Sequence, residues 1–326
     1  MAATAFPQPR NNSTHKFTTW PEQGRPTGWF QPTKTDGMNS FFKENGFLVL
    51  ENALDEEEVE ALNKEAIRLC RNENGDIEGL NPADFAESDR DVLKRTLCIH
   101  FPHKLSTLMR KMLAQPNIVN VLTSVVSANV KCMQSMLFIK AAGKPGQAWH
   151  QDEDYIPTRD RSLIGAWIAL DDATIENGCL WIIPGSQKQG ILWKQEWHAD
   201  ARFDCSEEAQ GFPYTQNDEV PVEVKKGSVV FFNGYTLHRS LPNKTQDAFR
   251  RSLVNHYMSA ESFLPWRRPN DNISMAMADY RDIVMVAGKD PYPERGLENI
   301  SKAYIRPSGE GGCVSWVTKQ KLEYIK

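Results

Sequence analysis

Two histidines and one aspartate have the residue types and the spacing of a mononuclear metal site. One residue separates His150 from Asp152, and His238 lies far downstream in the chain. Because residues i and i+2 of an extended strand project to the same face, we expect this imidazole and this carboxylate to share one metal ion. A histidine on a returning strand completes a two-histidine, one-carboxylate set, which on iron leaves about three coordination positions open. Zinc also suits these ligands, but zinc has no redox chemistry.

The segments around the metal residues predict strands joined by turns. Apolar runs of strand length occupy residues 131–139, 163–170, 179–183, 228–232 and 251–257. Asn177-Gly178 is a strong hairpin signal, because Asn-Gly tolerates positive φ, and it predicts a hairpin between the second and third of these strands. On this pattern, the fourth strand leads to His238 through the turn at Asn233-Gly234.

Helical signals precede the strands. Asp36 and Asp55 are placed to cap helices over residues 37–45 and 56–71, and Gly46 is placed to end the first. Further signals predict a polar connection over 72–92, a strand over 93–101, and helices over 103–115 and 116–127. Helices followed by short, turn-separated strands predict an α+β fold with an antiparallel jelly roll.

This order of pieces resembles the phytanoyl-CoA dioxygenase family of iron(II)/2-oxoglutarate oxygenases, especially its smaller domain proteins, over about residues 46–257. The residues that carry the resemblance are Gln134-Ser135-Met136, His150-Gln151-Asp152, Gly165, Trp167-Ile168-Ala169, residues 176–186, His238, Ser240 and Arg250. The resemblance implies a double-stranded β-helix (jelly-roll, cupin-like) core with the N-terminal helices packed on one sheet. It also implies Fe(2+), 2-oxoglutarate as cosubstrate and O2, with ascorbate as a supporting reductant.

The resemblance assigns an arginine to the far carboxylate of 2-oxoglutarate, which a planar guanidinium can bind bidentately. The turn after His238 is one residue longer than is usual in the family, so Arg250 and Arg251 are both candidates. Counting back from His256 favours Arg250, and neighbouring strand residues point to opposite faces. Ser240 is expected to face the same way as His238 and to donate to that carboxylate, unless it is an ordinary strand serine.

Two further cosubstrate residues follow from the resemblance. Gln134 matches a glutamine that contacts 2-oxoglutarate, and Trp167 matches a tryptophan that walls its pocket, although core packing is an equal alternative. The chain has Gln187 where the family commonly has histidine, which leaves the metal and cosubstrate residues untouched.

The activity that the resemblance implies is hydroxylation of an unactivated C–H bond of a small organic substrate, with release of succinate and CO2. Related halogenases lack the carboxylate that Asp152 supplies here, so hydroxylation, or another oxidative step such as desaturation, is favoured over halogenation. Two alternatives stay open: a cupin-like metal-dependent isomerase or other redox-neutral enzyme, and a non-catalytic binding module on the same fold.

Composition limits the partners. The chain has 326 residues and a formal net charge of −4, with no basic patch of the kind that binds nucleic acid. It has no apolar run near the ~20 residues that span a membrane, no signal peptide and no C-terminal peroxisomal signal. Its six scattered cysteines predict reduced thiols in a cytoplasmic protein. The sequence does not determine the oligomeric state.

The domain prediction is an extended arm over residues 1–35, the phytanoyl-CoA dioxygenase-like domain over 36–262, and a C-terminal extension of the same domain over 263–326. Residues 187–220 are predicted to be an insertion that selects the substrate. Candidate substrate contacts are Trp149, Asp154, Tyr155 and Arg159, whereas His100 and His103 are predicted to be ordinary polar residues.

Overall fold

The computed structural model describes residues 28–204, 207–263 and 281–306. Its helices are α1 (Met38–Asn45), α2 (Glu56–Cys70), α3 (Asp89–Arg95), α4 (Thr107–Met112), α5 (Pro116–Val125) and α6 (Asp152–Tyr155). Its strands are β1 (Trp29–Phe30), β2 (Phe47–Leu50), β3 (Cys98–His100), β4 (Val130–Lys140), β5 (Gln147–His150), β6 (Ile164–Ala169), β7 (Leu180–Ile182), β8 (Gln195–Trp197), β9 (Glu207–Ala209), β10 (Val220–Val222), β11 (Val229–Asn233), β12 (His238–Ser240), β13 (Arg250–Ser259), β14 (Val284–Ala287) and β15 (Tyr304–Arg306).

Two facing sheets form the double-stranded β-helix. The larger sheet has the strand order β1-β2-β11-β6-β13-β4-β3-β15, with β14 also paired to β4, and the smaller has the order β10-β7-β12-β5. Apart from the parallel β1–β2 pair, neighbouring strands are antiparallel. The α+β jelly-roll prediction is confirmed.

The alternation of side chains along the strands of the larger sheet separates two apolar layers. On its outer face, Leu137, Phe231 and Leu253 pack with the helices in one core. On its inner face, residues such as Val230 and Val254 pack with the smaller sheet in a second core. Because side chains alternate along each strand, the helices pack on one face of the larger sheet and the smaller sheet packs on the other.

Helix α2 shows how the outer layer is fixed. Asp55 and Glu58 form a capping box, in which Asp55 Oδ1 accepts from the Glu58 backbone N–H at 2.8 Å and Glu58 Oε2 accepts from the Asp55 N–H at 3.0 Å. Leu62 and Leu69 face the sheet and are fully buried. Each buried leucine contributes about 1.5–3 kcal/mol, so packing, rather than helix propensity, holds α2 in place. The prediction of N-terminal helices packed on one sheet is confirmed.

The boundaries of three N-terminal elements differ from the prediction. Gly37, not Asp36, is the N-cap of α1, whereas Gly46 ends that helix as expected with φ 76°. Residues 89–95 form α3, capped by Ser88, so the predicted polar connection is shorter and the predicted 93–101 strand shrinks to β3. The predicted 103–115 helix is a 3-10 turn followed by the short α4. Polar first turns and short elements carry too little periodicity to fix these limits.

The predicted hairpin at Asn177-Gly178 is wrong, because β6 belongs to the larger sheet and β7 to the smaller one. The Asn177 side chain instead stabilises a turn that crosses between the sheets, accepting from the Thr174 N–H at 2.8 Å and donating to the Asp172 carbonyl at 2.8 Å. Gly178 adopts φ 85°, as the dipeptide signal predicts. Local sequence specified the turn, but it did not specify which strand β7 would pair with.

Segments with no clear periodicity in the sequence still form strands in the structure. Within the 187–220 insertion, β8 and β9 form a two-stranded sheet. After the central strands, β14 pairs with β4 and β15 pairs with β3, so part of the predicted C-terminal extension joins the larger sheet. Most of the predicted 1–35 arm, and residues 264–280 and 307–326 of the extension, lie outside the described residues.

Four of the six cysteines lie among the described residues. Cys70, Cys98, Cys132 and Cys179 are buried free thiols. Burial raises the pKa of the Cys70 thiol to about 11, which leaves it protonated and unreactive at neutral pH. Among the described helices, none is both long and apolar enough to cross a bilayer.

We expect the protein to lose stability at acidic pH because of the buried residue His103. Burial, and then the charges of Lys104 and Arg110, lower the pKa of His103 to about 4, and its Nδ1 lies 2.6 Å from Ser135 Oγ. The unfolded chain takes up a proton near pH 6.5, whereas the folded chain does so only near pH 4. The contribution of His103 to the free energy of unfolding is therefore complete above pH 6.5. It falls by up to about 3 kcal/mol as the pH is lowered toward 4.

Urea unfolding of the wild type and the His103→Gln variant across pH 4–7 tests this. The stability advantage of the wild type over the variant should shrink steadily below pH 6.5. A constant difference between the two proteins over this range would contradict the assignment.

Candidate active site

His150 and His238 face each other because β5 and β12 pair with these two residues opposite one another. Their ring centroids are 4.1 Å apart. The two strands approach closely at Gly146, where a Cβ would lie 1.9 Å from the Ser240 carbonyl oxygen, so a side chain cannot be accommodated without moving the backbone. Sheet register, rather than proximity in sequence, brings the two imidazoles together.

The predicted strand geometry of His150 and Asp152 is wrong. Strand β5 ends at His150, and Asp152 is the first residue of the short helix α6. Between them, the buried Gln151 amide donates to the carbonyl oxygens of Ile191 at 2.9 Å and Tyr235 at 2.7 Å. A strand-to-helix turn held by Gln151 therefore brings the carboxylate to the imidazoles, in place of the alternation of a strand.

The three side chains form one group that could hold a metal ion, with their ligand atoms within 4.8 Å of one another. Asp152 Oδ1 lies 3.7 Å from His150 Nε2 and 3.6 Å from His238 Nε2. The other carboxylate oxygen, Oδ2, is 3.1 Å from His256 Nε2. His256, which the sequence marked only by its position on β13, orients the carboxylate so that one oxygen faces the two imidazoles.

Both imidazoles are held in the form that binds metals. His150 Nδ1 donates to the Ala148 carbonyl at 2.8 Å, and His238 Nδ1 donates to the Thr236 carbonyl at 3.0 Å. Because a carbonyl oxygen can only accept, each Nδ1 carries the proton and each Nε2 lone pair is directed to the shared site.

The protonation states of His150 and Asp152 also suit the binding of a divalent metal ion. Burial, and then the neighbouring His238, lower the pKa of His150 to about 4. Burial alone would raise the pKa of Asp152, but the surrounding histidines hold it well below its usual range. A neutral imidazole and an ionised carboxylate at pH 7 are the donor states that Fe(II) and similar ions bind.

The predicted cosubstrate residues line the same cavity as the metal group. This cavity, of about 210 Å³ between the two sheets, is bordered by Gln134, Trp167, Ser240 and Arg250 as well as by the three metal-site residues. A β-bulge at Met133 shifts the register of β4 against β13 beside Gln134. Such bulges commonly re-aim side chains at functional sites.

Arg250 and Arg251 have opposite surroundings. Arg250 is 3 % exposed, donates through Nε to the Gly178 carbonyl at 3.1 Å and through Nη1 to Ser252 Oγ at 3.1 Å, and lies 5.4 Å from the centre of the Trp167 ring. Its Nη2 donates to no described residue. Burial lowers the pKa of Arg250 to about 10, so it stays charged at pH 7. Arg251 points to the other face of β13 and pairs with Asp171 at 2.6 Å.

Ser240 has a partner that the sequence analysis missed. Its Oγ accepts from Lys140 Nζ at 2.9 Å and from the Gln147 N–H at 3.3 Å, which leaves its own proton free to be donated. Burial, and then the charge of Arg250, lower the pKa of Lys140 well below its ordinary value. Lys140 ends a row of alternate inward residues on β4 that begins at Gln134, so period-2 alternation could have found it.

The cavity has other borders that sequence reasoning did not assign. His100, Glu207, Arg239 and Arg306 all line it. His100, expected to be an ordinary polar residue, is buried and stacks on Tyr304 with ring centroids 4.3 Å apart, outside the metal group. No local pattern links these residues, because β3, β9, β12 and β15 reach the cavity from separate parts of the chain.

Of the four candidate substrate contacts, Tyr155 alone borders the cavity. Trp149 is buried 4.6 Å from the Arg239 guanidinium, and Arg159 lies over the Phe263 ring. Trp149 precedes His150 on β5, and neighbouring strand residues point to opposite faces. The glutamine that departs from the family pattern, Gln187, donates to the Lys43 carbonyl at 3.1 Å, outside the cavity.

A family model for phytanoyl-CoA dioxygenase (PhyH) matches residues 42–252, which include the metal group and the four cosubstrate candidates. The chain belongs to the phytanoyl-CoA dioxygenase family. The expected family, with its iron- and 2-oxoglutarate-dependent enzymes, is thereby confirmed. Strand β15 and most of β13 lie beyond the matched residues.

Relatives in the family are similar over most of the chain. The phytanoyl-CoA dioxygenase domain-containing protein 1 of Danio rerio is 28% identical over 266 residues, covering 70% of this chain and 91% of its own. The phytanoyl-CoA dioxygenase 1 of Oryza sativa subsp. japonica is 28% identical, covering 72% and 92%. The peroxisomal phytanoyl-CoA dioxygenase of Homo sapiens is 28% identical, covering 69% and 68%.

Solved structures share the fold. The non-heme monooxygenase ThoJ aligns with a TM-score of 0.58 at 19% identity, over 87% of this chain and 95% of its own. The epimerase SnoN, solved with Fe3+, α-ketoglutarate and nogalamycin RO, aligns with a TM-score of 0.53 at 22% identity, over 71% and 84%. At these identities the likeness supports the double-stranded β-helix and nothing finer.

Proposed function

We propose that this protein is an Fe(II)/2-oxoglutarate-dependent dioxygenase that hydroxylates an unactivated C–H bond of a small organic substrate. The observation that carries the proposal is one cavity bordered by the metal group and by a buried arginine with an unused Nη2, within a chain of this family. In the balanced reaction, substrate, 2-oxoglutarate and O2 give hydroxylated substrate, succinate and CO2.

The metal residues are His150, Asp152 and His238. Fe(II), when bound by them, supplies the redox chemistry with dioxygen that amino-acid side chains lack. The two imidazoles hold their Nε2 lone pairs toward the site through their Nδ1 hydrogen bonds. Asp152 supplies one negative charge, and His256 keeps its Oδ2 occupied so that Oδ1 is presented.

The cosubstrate residues act by charge and shape. Arg250, held by Gly178 and Ser252 and placed over Trp167, presents Nη2 to the far carboxylate of 2-oxoglutarate. Ser240 donates its hydroxyl proton to the same carboxylate, because Lys140 and a backbone N–H already occupy its oxygen. Gln134 and Trp167 border the cosubstrate, and the buried walls exclude water, which strengthens each of these contacts.

The fold also supports other oxidative outcomes. Among the structural neighbours, SnoN is an α-ketoglutarate-dependent epimerase and SnoK an α-ketoglutarate-dependent carbocyclase. A redox-neutral, cupin-like isomerase would use the metal group but would have no use for Arg250. Asp152 occupies the position that a halide would need, which favours hydroxylation, or another oxygen-derived outcome, over halogenation. Hydroxylation is the outcome we propose.

Succinate formation by the full chain tests the proposal. Protein loaded with Fe(II) under anaerobic conditions should, with 2-oxoglutarate, ascorbate and O2, consume oxygen and form succinate even without substrate. Zinc-loaded protein, the matched control, should form none, because zinc binds the same ligands without redox chemistry. Well-folded, iron-loaded protein that forms no succinate would contradict the proposal.

A further inference from the structure

The cavity contains more charged groups than a metal ion and 2-oxoglutarate would use. Arg306 on β15 and Glu207 on β9 both border it. Neither belongs to the metal group, and neither is among the proposed cosubstrate residues. Arg306 also lies beyond the residues that the family model matches. These two side chains are therefore available to recognise the substrate.

Arg306 is a buried cation with unused donors. Its side chain is 9 % exposed, and its only hydrogen bond to the described residues runs from Nη1 to Asp204 Oδ2, at 2.8 Å. Backbone bonds between residue 146 and both 202 and 204 hold Asp204 in place. Among the described residues, Nε and Nη2 have no acceptor, and they lie at the edge of the cavity. Because a guanidinium is a planar array of N–H donors that matches a carboxylate, these donors are placed to bind a ligand oxygen.

Glu207 is an anion that borders the same cavity. It is half-buried, and its carboxylate has no hydrogen-bond or ion-pair partner among the residues that the structure describes. Tyr155 lies within electrostatic reach of both Glu207 and Arg306. The Tyr155 hydroxyl, which also borders the cavity, is a hydrogen-bond donor.

The charge balance indicates what kind of ligand fits. Asp204 compensates Arg306, and Glu219 compensates Arg239 at 2.6 Å, while Arg250 is assigned to 2-oxoglutarate. Among the residues that the structure describes, Glu207 has no counter-charge. A ligand that carries only a carboxylate would meet a net negative surrounding, and one that carries only an amine would leave the Arg306 donors unmet. A ligand with both groups satisfies both ends of the cavity.

We propose that the substrate is a small zwitterion of the amino-acid class, whose carboxylate binds Arg306 and whose ammonium group binds at Glu207. This inference rests on the proposed function, since it concerns the substrate of that reaction. Arg306 of strand β15 and Glu207 of strand β9 together form the recognition site, and the Asp204–Arg306 pair holds Arg306 in place. The predicted role of the insertion in substrate selection is thereby given specific residues.

The test uses matched sets of compounds with the iron-loaded full chain. Each set contains a free amino acid, its N-acetyl derivative and its primary amide, over α-, β- and γ-amino acids of a size the cavity holds. The readout is succinate formation above the uncoupled rate. In at least one set, the free amino acid should stimulate about 10- to 100-fold more than either blocked form, the effect expected for one or two charge-assisted hydrogen bonds.

Two variants test which residue binds the carboxylate of the substrate and which binds its ammonium group. In Arg306→Gln, the preference for the acid over the amide should fall to about one. In Glu207→Gln, the preference for the free amine over the N-acetyl form should fall instead. Each preference is a ratio within one variant, so a general loss of activity does not imitate it. Arg110→Gln, which removes an exposed arginine of α4, should keep both ratios at the wild-type value.

Three results would overturn the inference while uncoupled succinate formation is present: blocked forms that stimulate as well as free amino acids, ratios that survive in both variants, or no stimulation by any amino acid. Absence of succinate formation under every condition would instead overturn the proposed function, and the inference with it.

Discussion

Replacing Asp152 by alanine should abolish iron binding and succinate formation together. Asp152 is the one carboxylate of the metal group, is 8 % exposed, and has an oxygen within 3.7 Å of both imidazole Nε2 atoms. Loss of residues that merely orient a ligand costs about 10- to 100-fold in metal affinity, so loss of the ligand itself should cost at least about 100-fold. Fe(II) titration under anaerobic conditions and succinate assays measure the two effects.

Asp160→Ala is the matched control for this substitution. Asp160 is exposed, lies shortly after the same helix, and accepts from Ser162 rather than bordering the cavity. This variant should bind iron and form succinate as the wild type does. If Asp152→Ala retained wild-type iron affinity, the assignment of the metal group would be wrong.

Arg250→Gln should raise the KM for 2-oxoglutarate about 100-fold or more while iron affinity stays near that of the wild type. The substitution removes a buried cation together with the charge-assisted hydrogen bond from Nη2 to the cosubstrate, and such a hydrogen bond is worth about 1.5–3 kcal/mol. Arg250→Lys should recover only part of the loss, because an ammonium keeps the charge but not the planar geometry. Initial rates of succinate formation against 2-oxoglutarate concentration give the KM.

The neighbouring arginine provides the control. Arg251 is bonded to Asp171 on the opposite face of β13, so Arg251→Gln should change thermal stability but not the KM for 2-oxoglutarate. An unchanged KM in Arg250→Gln would remove the case for a bound 2-oxoglutarate and would favour the redox-neutral alternative. Equal effects of the two substitutions would indicate a general disturbance of β13.

The candidate metal and cosubstrate residues could be selected from the sequence because their types are restrictive. Few side chains bind iron, and the family resemblance fixed which histidines and which carboxylate to examine. The choice of Arg250 over Arg251 also followed from a strand rule, since neighbouring residues point to opposite faces. The structure places both arginines as that rule requires, with Arg250 at the cavity and Arg251 at Asp171.

Predictions failed where the same local sequence pattern is compatible with two different tertiary arrangements. Asn177-Gly178 specified a turn correctly, but β7 paired in the other sheet. The His150-x-Asp152 spacing gave the correct pair for the wrong reason, because Gln151 turns the chain into α6 through hydrogen bonds to residues 191 and 235. Bonds between such distant residues leave no periodicity at the position itself.

By itself, the sequence determined the fold class, the family and which side chains are candidates for holding iron and 2-oxoglutarate, because these depend on residue type and local spacing. Tertiary structure alone decided that His256 orients Asp152, that Lys140 supports Ser240, and that Arg306 and Glu207 share the cavity. These contacts join strands that are remote in the chain, and their geometry is set by sheet register and by the closure of one sheet over the other.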